Sequence, residues 1–342
     1  MKRNIKHKIL FTSLLIGLVV VFLLNIGFGQ VAIPLKEILK SLAGIETNNA
    51  TWEYIILNFR LPKAITAILV GIGLSISGLL MQTLFRNPLA GPYVLGLSSG
   101  SSLGVAFVIM GASILPGFLA DLFLSSFGIV LASILGSLFV LFLVFIVSKK
   151  LKDTMSILIV GLMFSSFTGA IVSVLTYFSS AEQLQKFTFW SMGNLGNLSW
   201  LQLLILSISV TIGCLVSLFS IKSLDAFLLG ENYAKSIGIN IKKQRNIIFI
   251  STGILSGSIT AFVGPIAFVG LAVPHIAKLL FQTSNHKTLF FSTMILGAVI
   301  MLVCDTVSQL PGFDFTLPIN AITSILGAPI VIWLLVRKRG IN

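Results

Sequence analysis

Arg86-Asn87-Pro88-Leu89-Ala90-Gly91-Pro92, running on into a Gly/Ser-rich stretch from Leu95 to Gly104, interrupts an otherwise greasy chain where two apolar runs meet. A bare connection between membrane helices needs no such density of helix breakers. Irregular backbone near membrane depth survives only where protein or a water-lined cavity satisfies its N–H and C=O groups. The interruption therefore reads as a working part and points to a transporter.

The composition on either side of it agrees. Of 342 residues 56% are hydrophobic and 10% charged, and the mean hydropathy is +1.04. Runs of about 20 apolar residues recur, the length that crosses a hydrocarbon layer of roughly 30 Å. The fold class is all-α: a polytopic membrane protein in which residues 1–342 form a single transmembrane domain, with no length left for a separate soluble one. Ten spans can be drawn, over 9–29, 61–84, 93–111, 122–148, 154–178, 199–219, 245–264, 267–280, 288–309 and 318–336. The third and eighth are short and broken by Gly or Pro, and short, broken segments are where transporters place their pathways.

Charge placement tests that count. With the amino terminus inside, ten spans put 18 of the 23 Lys and Arg residues in the cytoplasm, leaving Lys36, Lys40, Arg60, Lys63 and Lys186 outside; dropping the third or the eighth span alone would send later basic clusters to the wrong side. Both termini are then cytoplasmic. Lys2, Arg3, Lys6 and Lys8 precede an apolar stretch too long for a signal peptide and lacking an Ala-x-Ala site, so it is read as an uncleaved first span. The formal charge of +13 sits in short clusters between apolar runs, which fits membrane topology and not nucleic acid. Cys214 and Cys304 lie in apolar runs as small hydrophobes. Leu35, Ile38, Leu39 and Leu42 after Pro34, with Lys36, Glu37 and Lys40 opposite, predict a short interfacial helix.

Residues able to carry chemistry are few. The chain has no Gly-x-x-x-x-Gly-Lys-Ser/Thr loop, so ATP, if used, is hydrolysed by another chain. His7, His275 and His286 show no metal-ligand spacing, and no catalytic residue or resident metal is expected. Asp305 is the one carboxylate within a span. It reads either as a helix-end group bonded to a neighbouring helix or as part of a substrate path, and one carboxylate is thin material for an ion-coupled secondary transporter or channel, the main rival reading. The longest cytoplasmic connection, 220–244, contains Gly230-Glu231-Asn232-Tyr233-Ala234-Lys235-Ser236-Ile237-Gly238. Two turns of helix between glycines are too short to stand alone; they form either a solvated loop helix or a projection that docks in a partner's groove. Gly71, Gly73, Gly100, Gly104, Gly253 and Gly257 have the small-residue spacing that lets helices approach closely.

Taken together, these stretches resemble the FecCD family, the permeases of type II ABC importers for ferric siderophores, haem and vitamin B12. The resemblance spans nearly the whole chain. It rests on Arg60-Leu61-Pro62-Lys63, on Gly78-x-x-x-Gln82 followed by the 86–92 stretch and Leu95-Gly96, on the 230–238 loop, and on Gly264-x-Ile266-x-Phe268-Val269-Gly270-Leu271-x-x-Pro274-His275. Gly297-Ala298, Asp305-Thr306, Leu317-Pro318 and Gly327-Ala328-Pro329 complete it. It implies the ten-helix type II permease fold in the bacterial cytoplasmic (inner) membrane and a second permease subunit, as a homodimer or close heterodimer. It also implies two ATPase subunits that hold ATP and Mg, an extracytoplasmic substrate-binding protein, and a metal-chelate cargo such as an iron(III)-siderophore, haem or cobalamin. By the same resemblance Gly230, Glu231, Ala234, Ile237 and Gly238 couple to the ATPase, and Arg60 and Lys63 meet acidic residues of the binding protein. Gln82, Asn87, Pro88, Gly91, Pro92, Pro274, His275 and Asp305 become gate or pathway candidates. The chain departs from the family pattern twice: Ser308 and Gln309 stand where many relatives have a base, and Lys63 stands where Arg, with its bidentate fork, is frequent.

Overall fold

Apolar runs in a membrane become helices because a helix satisfies every backbone polar group within the run, at 1.5 Å of rise per residue. The computed structural model describes residues 2–29, 31, 33–112, 116–151, 154–309 and 316–339, and among them every regular element is a helix. The first run forms α1 (Lys2–Gly27). After Pro34 comes α2 (Leu35–Leu42), then α3 (Ala50–Ile55), whose first turn is capped by Asn49 Oδ1 accepting from the Thr51 N–H at 2.9 Å. One π turn (Ile56–Arg60), closed by the Leu61 N–H on the Ile56 carbonyl, carries α3 into α4 (Leu61–Leu84). The helical path thus runs from Ala50 to Leu84, longer than the 61–84 span expected. Pro62 lacks an N–H to continue the regular ladder, and a π turn just ahead of it lets the chain pass without a stop.

The 86–104 interruption then unfolds as the breakers dictate. Arg86 takes a left-handed φ of +48°, Asn87 Oδ1 accepts from the Leu89 N–H at 2.9 Å, a 3-10 turn spans Pro92–Leu95, and Gly96 at φ +74° opens α5 (Leu97–Gly111). The expected span over 122–148 is in fact two helices, α6 (Gly117–Leu124) and α7 (Ser126–Lys150). They break at Ser125, whose hydroxyl accepts from the Gly128 N–H. α8 (Thr154–Tyr177) follows, and then α9 (Ala181–Ser191), absent from the sequence reading and started by a Ser180/Gln183 capping box. The remainder is α10 (Trp200–Leu218), α11 (Ile221–Leu228), α12 (Glu231–Ser236), α13 (Ile241–Val263), α14 (Val269–Phe281), α15 (His286–Ser308) and α16 (Ile319–Arg339). Among the described residues seven helical segments are long and apolar enough to cross a membrane, and Leu97–Gly111, Val269–Phe281 and Ile319–Trp333 are shorter apolar helices. These correspond to the ten spans read from the sequence. Lys152, one of the charges behind that topology, lies outside the described residues, as do the side chains of Lys2, Arg3, Arg337, Lys338 and Arg339.

The chain, read from sequence as one domain, clusters into two units. The first comprises Met1–Ile76, Asn194–Ser207 and Ile266–Asn342, the second Ser77–Gly193 and Ile208–Pro265. In the first, a Cβ on Gly71 of α4 would fall 2.2 Å from the Gly297 carbonyl oxygen of α15; in the second, a Cβ on Gly104 of α5 would fall 2.1 Å from the Ala132 carbonyl oxygen of α7. Backbones touch in both places, whereas Gly253 and Gly257 of α13 make room for the side chains of Leu141 and Ser137 of α7.

Most of the apolar stripe of α2 faces outward, which suits an interfacial position. Leu35, Leu39 and Leu42 are exposed, whereas Glu37, Ile38 and Ser41 are buried. An apolar stripe seeks the least polar surroundings, and in a membrane chain these need not be protein. Glu37 turns inward because it is fully served there: its carboxylate accepts from the Asn48 N–H at 2.9 Å, Asn48 Nδ2 at 3.0 Å and Lys40 Nζ at 3.0 Å. The Asn48 backbone bond, then Lys40, hold the Glu37 carboxyl below its ordinary value.

Two predictions follow from this packing. Gly71→Ala should cost about 1–3 kcal/mol by overpacking and lower the unfolding temperature in detergent, while Gly17→Ala, whose added Cβ meets nothing within 4 Å, should not. Because the folded Glu37 carboxyl titrates below its unfolded value, the stability it adds is complete above the ordinary carboxylate range and disappears as pH falls through the lowered value. Protection factors over residues 35–48, taken against intrinsic exchange at each pH, should therefore fall at acidic pH in the native protein, and Glu37→Gln should remove that dependence.

Candidate functional site

In the first unit the sequence-predicted residues Arg60, Lys63 and Asp305 come together. Asp305, in the last turn of α15, is 1% exposed. Its Oδ2 accepts from Asn25 Nδ2 of α1 at 2.9 Å and from Gln309 Nε2 at 2.9 Å, and Oδ1 faces Lys63 Nζ of α4 at 3.1 Å. Asn25 Nδ2 also reaches the Thr306 hydroxyl at 3.0 Å. Bonding to neighbouring helices is thus what this carboxylate does here. Asn25, an amide inside the first apolar run, was missed in the sequence; a polar side chain in such a run was the available signal.

Arg60 is buried as well. Its Nη1 donates to the Ile26 carbonyl at 2.6 Å and the Gly27 carbonyl at 3.0 Å, and its Nη2 donates to the Val31 carbonyl. A cation here caps the carbonyl end of α1, where the helix dipole is negative. Gly29 lies under the guanidinium, and a Cβ there would stand 2.8 Å from Nη2. Arg60 and Lys63 therefore hold internal partners, and both also line a half-open cleft of about 400 Å³ with Asn194, Asn197, Gln309 and Thr316.

Two of the quoted motifs in this unit touch each other. Phe268 takes a left-handed φ of +65°, and Gly327 of α16 fits against it, since a Cβ there would lie 2.4 Å from the Phe268 Cβ. Asn320 Oδ1 accepts from the Ala267 N–H at 3.0 Å, satisfying backbone that no helix serves. Pro274 and His275, expected at the cytoplasmic end of their span, fall inside α14. Pro274 is buried there and withholds one helix hydrogen bond.

The 230–238 segment belongs to the second unit. Gly230 at φ +108° and Gly238 at φ +85° bracket α12. Ala234 is fully buried and anchors it, while Leu229, Tyr233 and Ile237 are exposed. The Glu231 carboxylate accepts from the Thr154 hydroxyl at the start of α8. Arg245, counted above as a cytoplasmic charge, is buried in the first turns of α13, and its Nη2 donates to the Ser148 carbonyl of α7 at 3.0 Å. Of the remaining gate candidates in this unit, Gln82, Gly91 and Pro92 are buried and Asn87 and Pro88 half-buried. The Asn87 N–H donates to the Gln82 carbonyl at 3.1 Å, which closes the turn after α4. Among the described residues no group of three His, Cys, Asp or Glu side chains could hold a metal ion.

Truncating the buried carboxylate tests the first of these sites. Removing one partner of a buried ion pair costs about 3–5 kcal/mol, and Lys63 keeps some solvent, so Asp305→Ala should fall at the low end of that range in a detergent unfolding titration. Asp305→Asn, which keeps an acceptor for the two amides, should cost less.

Comparison with known proteins places this geometry. The FecCD transport family matches residues 17–337. The hemin transport system permease protein HmuU of Yersinia pestis is 33% identical over 99% of this chain and 98% of its own length. The vitamin B12 import system permease protein BtuC of Klebsiella pneumoniae is 33% identical over 94% of this chain and 92% of its own. A solved metal-chelate type ABC transporter in an inward-facing conformation superposes with a TM-score of 0.83 at 30% identity, covering 96% of this chain and 99% of the other. PsaBC from Streptococcus pneumoniae shares the fold more distantly, with a TM-score of 0.56 at 17% identity over 87% of this chain and 95% of its own. In its apolar helices, its interrupted segments and its full-length similarity, this multi-pass membrane protein belongs to the FecCD transport family of permease subunits.

Proposed function

We propose that the chain is the transmembrane permease of an ABC importer that moves an iron(III)-siderophore or a related metal chelate, such as haem or cobalamin, into the cytoplasm by ATP-driven alternating access. The observation that carries this reading is α12, a six-residue helix held by Ala234 between two left-handed glycines, with Tyr233 and Ile237 left exposed. A helix too short to be stable alone that keeps apolar side chains outward suits a groove on a separate chain, and Gly230, Glu231, Ala234, Ile237 and Gly238 supply that contact with an ATPase subunit. ATP and Mg belong to two such subunits. The haem and B12 carriers among the relatives, and the metal-chelate transporter among the solved structures, support the cargo class.

A second permease copy, most simply an identical one, faces α8. Only 17% of that span's most apolar stretch is buried, and its exposed side chains include Met155, Met163, Ser166 and Ser173. The Ser166 and Ser173 hydroxyls bond back to the Leu162 and Gly169 carbonyls of their own helix, and small residues on this face let a facing helix approach closely. An extracytoplasmic binding protein docks at the cleft that Arg60 and Lys63 line. Gln82, Asn87, Pro88, Gly91, Pro92, Pro274, His275 and Asp305 shape the path and its gates. The protein sits in the bacterial cytoplasmic membrane with both termini inside. An ion-coupled secondary transporter or channel is disfavoured because Asp305, the carboxylate such a mechanism would use, is occupied by Lys63, Asn25 and Gln309.

Tagged protein drawn from its native membrane should bring an ATPase subunit with it, and Glu231→Arg combined with Ala234→Trp should abolish uptake. Uptake that survives those changes, with no ATPase associated, overturns the reading. The cognate binding protein, tested against a panel of ferric siderophores, haem and cobalamin, identifies the cargo.

A further inference from the structure

A push on α12 must reach the membrane helices through some physical connection, and the second unit holds one. A chain of polar contacts links Glu231 of α12 to α8, to α13 and, through Arg245, to α7. Its carboxylate accepts from the hydroxyl of Thr154, the first residue of α8. It also lies within electrostatic reach of the Arg245 guanidinium near the start of α13, which in turn donates to the Ser148 carbonyl near the end of α7 at 3.0 Å. Thr154 and Arg245 are 8% and 5% exposed and Glu231 is half-buried, so the Thr154 bond is partly shielded from water, where an interaction with a charge is strengthened. We infer that Glu231 is a positioning residue which ties the coupling helix α12 to the first turn of α8, so that displacement of α12 is handed to α8 through the Thr154 hydroxyl. The inference rests on the importer reading above and adds the element that α12 drives.

The surroundings say which partner of Glu231 moves. Gly230 and Gly238, both at positive φ, flank α12 with backbone that turns at little cost. The helix can therefore shift as a body while Ala234 and Glu231 keep hold of their neighbours. Arg245 belongs to a span with 61% of its most apolar stretch buried, against 17% for α8. The Arg245 side of the tie is anchored within this subunit, whereas α8 opens toward the second permease copy, so motion given to α8 is delivered to that interface. Ser148 and Thr154 lie on the two helices joined by the 151–153 connection, so the Arg245–Ser148 bond holds the end of α7 while the Glu231–Thr154 bond pulls on the start of α8.

The test uses the complete transporter in liposomes with its ATPase and binding protein, reading uptake per ATP hydrolysed. Thr154→Val should leave ATPase association and hydrolysis in place and lower uptake per ATP about tenfold, the effect of one lost hydrogen bond to a charged group. Thr154→Ser should restore it. Thr154→Val combined with Glu231→Leu, which removes the acceptor, should be no worse than the more severe single change, because both cut the same link. Native uptake per ATP in Thr154→Val, failure of Thr154→Ser to rescue, or effects that multiply would each overturn the tie. Failure of the importer reading would appear differently, as a wild-type preparation that neither holds nor stimulates an ATPase. A purely structural role for Thr154 would show as a lower unfolding temperature with unchanged uptake per ATP, which also overturns the tie.

Discussion

A carboxylate sealed from solvent inside apolar helices is costly unless a cation and hydrogen-bond donors meet it. Asp305 is met on both oxygens, and each donor stands on a defined helix: Lys63 on α4, Asn25 on α1, and Gln309 just past the end of α15 itself. The arrangement has one register. Sliding α1 or α4 by a turn, about 5.4 Å, would strand the charge, so this single group fixes how three helices of the first unit line up. Arg60 extends the same logic by one turn, spending its guanidinium on the carbonyls that end α1. Close backbone approach at Gly71 and Gly297 then has a fixed place to occur.

The second unit is ordered by shape more than by charge. Gly100 and Gly104 on α5 meet Gly136 and Ala132 on α7, and dispersion between closely packed backbones does the work that a hydrophobic effect cannot do in lipid. Polar bonding is concentrated where α7, α8, α12 and α13 begin or end.

Much of the fold was legible in the residues. The limits of α4 at Leu61 and Leu84, of α8 at Thr154 and of α10 within a residue or two follow from apolar length and Pro or Gly punctuation. The short third and eighth spans were recoverable only because charge placement required them. What escaped had physical reasons. α9 is too polar for a hydropathy signal, although Ser180-x-x-Gln183 announced its start. Ser125 broke a run whose hydropathy never dipped. The burial of Glu37 in α2 was not legible, since periodicity identifies an apolar stripe without saying whether protein or lipid lies against it. The family motifs pointed to the candidate site residues as a set, but not to the partners those side chains hold in the structure. No sequence pattern links Asn25 to Asp305 across 280 positions, Thr154 to Glu231, or Arg60 to the carbonyls of α1.

The hydrogen-bond inventory of Asp305 also accounts for a choice of side chain that looked arbitrary in the sequence. Oδ2 already receives two amides, from Asn25 and Gln309, and only Oδ1 is left for position 63. A guanidinium brings a two-pronged fork and would find one prong without a target, whereas an ammonium needs a single point of contact. Lys at 63 and the amide at 309 are therefore two halves of one adjustment. Three residues earlier the demand is reversed: several carbonyls converge and only a fork can serve them, so at 60 the chain keeps Arg. Two neighbouring positive charges, interchangeable on a charge count, are held to different chemistries by the number of oxygen atoms each has to satisfy.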